Sequence, residues 1–222
     1  MKIRVNIDIK VGRLVKYFVI SDFFLLAGWG FLDPVFAVFV VQQIPGSNLV
    51  TVGWTAAIYW ISKSLLQIPI ANRLDRTNDG EKTAYIALVG GLILAGFSAM
   101  AFAAARSIAA IYVIQAVHAA AFALYSASWP AIFSRHLDKD RIAFDWSLDS
   151  VAIGIASGIT GLLGGLTAEI WGFTAVFIMT GILSFIAAFV LIAAPDLILP
   201  KPTRAAAPLP PEAAHKEPEL GM

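Results

Sequence analysis

Asp33 is followed by Pro34 inside an apolar run covering about residues 19–41. A carboxylate among apolar residues binds a proton or faces a cation, and the proline removes a backbone donor beside it. Lys63 and Gln67 stand one helical turn apart in a second run, so one wall carries both. Gln115 and His118 stand three apart in a later run, again on one face. An imidazole there relays protons or binds a polar solute. Each residue also has a purely structural reading. Asp33 is satisfied by Ser, Thr or Trp neighbours, Lys63 snorkels to a surface, and His118 is a neutral hydrogen-bonding group in a helix bundle. Charges gather between the runs at Asp75-Arg76, at Arg135-His136, and at Asp145 and Asp149 one turn apart. Ion pairs among Asp75, Arg76, Arg135, Asp145 and Asp149 would tie helix ends together as a gate; solvated singly, each is worth little. Cysteine is absent, which excludes thiol nucleophiles, disulfides and cysteine-ligated metals. One mid-run histidine without neighbouring ligands is poor evidence for a metal, so neither metal nor cofactor is expected.

The elements that hold these residues follow from composition. Of 222 residues, 59% are apolar and 14% charged, and the mean hydropathy is +0.77. Soluble domains carry about 25% charged residues. Composition therefore excludes a disordered chain, a nucleic-acid binder and an ordinary soluble enzyme. Six runs are long enough to cross a bilayer: about 19–41, 50–71, 83–105, 107–131, 146–168 and 172–195. The fold class read from them is an all-α membrane protein of six transmembrane helices. Residues 1–18 form a basic lead-in, a short strand or interfacial segment at most, and Pro/Ala-rich residues 196–222 read as a disordered tail. Of 16 Lys and Arg, 14 fall on one side of the runs; the others are Arg106 and Lys63. The positive-inside rule then places both termini in the cytoplasm of a multi-pass protein of the cell membrane. By rise per residue, Asp33 lies roughly 20 Å from the cytoplasmic end of span one and Lys63 roughly 12 Å from that of span two, which argues against a direct ion pair.

Gly154, Gly158, Gly161 and Gly165 recur at steps of four, three and four in span five, with Gly164 beside them. They form one bare helix face, suited to close packing within the bundle or to an interface with a second bundle. Trp129 and Trp171 read as membrane-interface aromatics. Trp54, Tyr59 and Trp60 line a cavity or face lipid.

Gly161-Leu-Leu-Gly164-Gly165, running on to Gly181, and Ala71-Asn-Arg-Leu-Asp75-Arg76, running on to Lys82, are two segments that resemble one half of a Major Facilitator Superfamily transporter. Gly161-Leu-Leu-Gly164-Gly165 through Glu169, Trp171-Gly172 and Phe177 to Gly181 is similar to the junction of helices five and six. Ala71-Asn-Arg-Leu-Asp75-Arg76, then Gly80-Glu81-Lys82, is similar to the signature loop between helices two and three. Phe133 to Lys139 and Phe144 to Asp149 resemble small six-span members. Ala71 stands where the signature has glycine. Thr160-Gly161 lacks the antiporter proline, and Gln115 with His118 lacks the helix-four arginine. The resemblance implies a site between two bundles and alternating access by their rocking. It implies two parallel copies, span five of one on span two of the other, or a second six-span protein as partner. Asp33, Lys63, Gln115 and His118 would then face a shared cavity.

The function expected is transport of a small solute, with the bilayer and a second bundle as partners, no nucleic acid and no enzymatic activity. The alternative is a membrane scaffold, a sensor or a subunit of a larger complex. An intramembrane serine protease lacks its Gly-x-Ser-Gly here, an aquaporin its Asn-Pro-Ala pair, and a mitochondrial-type carrier its repeats.

Overall fold

The computed structural model describes residues 12–79 and 81–194. The basic lead-in up to residue 11 and the Pro/Ala-rich tail lie outside them. Six helices account for nearly all of the described chain: α1 Arg13–Gln43, α2 Leu49–Asp75, α3 Lys82–Ala104, α4 Ile108–Phe133, α5 Ile142–Trp171 and α6 Phe173–Ile192. All six are long and apolar enough to cross a membrane. The first helix begins at Arg13, inside the stretch expected as a lead-in. Polar residues such as Arg13 and Lys16 do not end a helix; they only end its apolar part.

Local signals set the breaks. Gly46 adopts φ 75° after Pro45, and Asn48 then caps α2 through a reciprocal pair with Thr51 at 3.1 and 3.2 Å. Ser107 accepts from the Ala110 amide and starts α4. Gly172, at φ 80°, turns α5 into α6 where a side chain would be strained.

The packing has an internal symmetry. α1 packs on α5 and α6, α4 packs on α2 and α3, and α3 packs on α6. Exchanging helices 1, 2, 3 for 4, 5, 6 leaves this pattern unchanged, as in a pair of inverted three-helix repeats. The start of α1 and the end of α6 lie at one end of the bundle, here called the basal end. Ser21 near the start of α1 donates to the Ala187 carbonyl near the end of α6 at 2.9 Å. Tyr85 near the start of α3 donates to Leu191 at 3.2 Å.

Two glycines set the α1–α5 crossing. A Cβ on Gly164 would collide with the Phe31 backbone, and one on Gly30 with Thr160 and Ser157. Pro34 deprives the Gly30 carbonyl of its usual intrahelical donor. The residue with the freed carbonyl is thus the one pressed against α5. Hydroxyls add bonds between helices. Thr180 donates to the Gly28 carbonyl at 2.8 Å and Ser157 to that of Leu26 at 3.4 Å. Such bonds contribute about 0.6 kcal/mol each within a membrane. Phe39, Phe102 and Phe177 form an aromatic cluster at the far end. Phe18, Trp129 and Phe133 form another at the basal end.

The helices are not equally covered. α1 is the central element, whereas α2 and α5 present most of their length outward.

Candidate functional site

α1, α2 and α4 enclose a cavity of about 450 Å³. Its wall takes Trp29, Asp33 and Phe36 from α1, Thr55, Tyr59 and Trp60 from α2, and Gln115, His118 and Phe122 from α4. Apart from Phe122, just past the middle of α4, these residues occupy the half of each helix away from the basal end, so the cavity reaches from mid-depth toward the far surface.

His118 is its centre. The imidazole is 7% exposed and lies flat on the Trp29 indole, with centroids 3.9 Å apart and planes 1° apart. The Tyr59 ring stacks on it at 4.6 Å and 25°, and Phe122 meets it edge-on at 4.9 Å. Three helices thus contribute to one aromatic column. Rings clamp the imidazole by its faces, and neither nitrogen has a hydrogen-bond partner. The buried Gln115 Oε1 and Trp29 Nε1 are also unpartnered. An unmade hydrogen bond at a buried polar group costs about 1–3 kcal/mol. Three such residues in one cavity wall are what a binding site for a polar solute looks like between occupants.

Asp33 stands on the same wall, exposed at the cavity rim. It is about 15 Å along the helix from the far end of α1. Lys63 is half-buried and does not reach for the basal surface. Its ammonium lies 5.2 Å from the Trp60 ring centroid and 6.0 Å from that of Tyr59, which draws it toward the cavity side. Asp33 and Lys63 form no ion pair among the described residues. Gln67, one turn nearer the basal end, is half-buried and outside the cavity wall.

The basal charges arrange themselves differently from a single five-residue gate. Glu81, just before α3, pairs with Arg135 at 3.8 Å and His136 at 3.6 Å, linking α3 to the end of α4. Burial pushes the Glu81 carboxyl above its ordinary range, and the neighbouring His136 and Arg135 draw it partly back. Asp75 and Arg76 remain exposed at the end of α2. Asp145 is buried and accepts the Asp138 amide at 3.1 Å, pinning the α4–α5 loop. Asp149 is 4% exposed, with Oδ1 lacking any partner.

A group absent from the sequence reading lies between α1 and α4. Asp22 of α1, 2% exposed, accepts a short hydrogen bond from the Tyr125 hydroxyl of α4. Asp22 and Asp149 are close enough to interact electrostatically. Asp22 and Asp33 are eleven residues apart, three helical turns, with Trp29 between them on the same face of α1. That periodicity was the available signal for Asp22 and Trp29. Tyr125 follows His118 by two turns and offered a weaker one.

The glycine face of α5 divides. Gly154, Gly158 and Gly165 are exposed, and a Cβ at any of them would meet nothing within 4 Å, while one on Gly161 would stand 3.8 Å from the Gly30 carbonyl oxygen. Gly164 alone is buried against α1.

Six helices long and apolar enough to cross a membrane, three of them lining a cavity, define an integral membrane protein. The chain belongs to the Major Facilitator Superfamily, whose family model matches residues 18–219. No significant match was found among curated proteins.

Proposed function

We propose that the protein is a secondary transporter that moves a small solute by alternating access, working as a parallel pair of six-helix bundles. The observation that carries this reading is the convergence of His118, Gln115 and Trp29, all buried and unpartnered, in one cavity at mid-depth. A scaffold has no use for unmade hydrogen bonds there. The outward faces of α2 and α5, with Gly154, Gly158 and Gly165 bare, support a second bundle closing over the cavity. A second copy of this chain in the same orientation supplies that bundle with a two-fold axis along the membrane normal. The lysine and arginine distribution supports cytoplasmic termini in the cell membrane.

Asp33 is the coupling carboxylate in this reading, the cavity-wall acid that binds a proton or another cation. Uptake driven by a proton gradient into proteoliposomes is the test. Asp33→Asn should abolish coupling and leave assembly intact; unchanged coupling would remove Asp33 from that role. Loss of the imidazole in His118→Ala should reduce uptake at least tenfold. No gradient-driven uptake of any solute by a correctly assembled protein would favour a scaffold or sensor.

A further inference from the structure

The cavity wall has a charge and a surface that select a ligand class. Among the residues lining it, Asp33 alone carries a charge. Aromatic rings make up much of the rest: Trp29, Phe36, Tyr59, Trp60 and Phe122. Ring faces attract cations, and more strongly where water is excluded. A carboxylate opposite such faces adds a direct Coulomb attraction. Two of these rings already hold an ammonium, that of Lys63, at 5.2 Å from the Trp60 centroid and 6.0 Å from that of Tyr59. It sits there rather than at the basal surface, where a lysine in a membrane helix usually extends.

We propose that this cavity binds a monovalent organic cation, an alkylated or aromatic ammonium, between Asp33 and the Trp60 and Tyr59 rings. The Lys63 ammonium lies against the same two rings, outside the cavity wall, and opposes such a ligand by like charge. Where the ammonium retains an N–H, the His118 ring nitrogen and the Gln115 Oε1 are placed to accept it. This assignment rests on the cavity being the transport site, but it is tested by binding alone.

The probe is benzyltrimethylammonium, with phenylacetate as its anionic counterpart of similar size. Each is titrated into the full chain in nanodiscs, with tryptophan fluorescence and the thermal midpoint as readouts. The ammonium should quench fluorescence and raise the midpoint, and phenylacetate should do neither. Asp33→Asn should weaken ammonium binding about tenfold by removing the Coulomb attraction, and Trp60→Leu about threefold, the scale of a cation–π contact at an exposed ring. Trp60 is 60% exposed, so its replacement spares the core if Asp33→Asn assembles poorly. Lys63→Met should tighten binding severalfold. Equal binding of the two probes, or unchanged or weaker ammonium binding in Lys63→Met, would overturn the proposal. Selective ammonium binding without uptake in proteoliposomes would sink the transport reading and leave the cation site standing. Uptake of an uncharged or anionic solute without ammonium binding would do the reverse.

Discussion

Tyr125 and Asp22 show how one hydroxyl makes a buried acid tolerable. The Asp22 carboxyl is buried, and the Tyr125 hydroxyl of α4 donates to it. Removing the hydroxyl leaves the acid with one partner fewer in a low-dielectric setting. Tyr125→Phe should therefore destabilise the bundle by about 1–3 kcal/mol, read as a lower thermal midpoint in detergent; an unchanged midpoint would mean that Asp22 is solvated. Glu81 carries a pH signature. Its raised pKa means that the folded protein binds this proton more tightly than the unfolded chain. The stabilising contribution is fully present below the ordinary glutamate range and lost as pH rises through the raised value. Glu81→Gln stays neutral, so wild-type stability relative to this variant should fall as pH rises from the ordinary glutamate range through the raised value. A relative gain over that window would show that the Arg135 and His136 pairing outweighs burial.

At the scale of the element, α5 carries two glycine functions on adjoining strips. Gly164 admits the α1 backbone, where a Cβ already collides with Phe31. Gly158 meets nothing within 4 Å. Gly164→Leu should thus prevent the bundle from forming, with loss of monodisperse protein on extraction. Gly158→Leu should leave the bundle folded and weaken only association between bundles. If Gly158→Leu protein assembled as wild type does, the exposed glycines would be facing lipid. α1 owes its central place to the same economy of side chains. Gly28 and Gly30 let α6 and α5 approach, while Trp29 and Asp33 point into the cavity.

For the whole molecule, the exchange symmetry of the two three-helix repeats explains why α2 and α5 are the open elements. They occupy equivalent places, each leaning on the central helix of the other repeat, α4 or α1. A second bundle covering both faces would complete the cavity wall. Native mass spectrometry in nanodiscs should show two chains per particle. Replacing Gly154 and Gly158 together by Leu should return one. A single chain from the unmodified protein would point to a different partner for this face.

Hydropathy is a sum along the chain, and that is why the sequence alone determined the six helices, their approximate limits and their class. A run of about 20 apolar residues has one stable state in a bilayer whatever its neighbours do. The same logic made Asp33, Gln115 and His118 visible, since a polar residue in such a run is conspicuous by itself. Their partners were not visible. Trp29, His118 and Tyr59 come from three helices, and only the crossing angles stack them. Gly164 differs from Gly165 by one step around a helix, and only packing assigns one to α1 and the other to the outer face. Asp75 and Arg76 looked like members of one charge cluster with Arg135, yet Glu81 holds Arg135 because α3 starts beside the end of α4. Burial and pairing are properties of approach between elements, so the tertiary structure alone decided which polar groups meet and which are left facing the cavity.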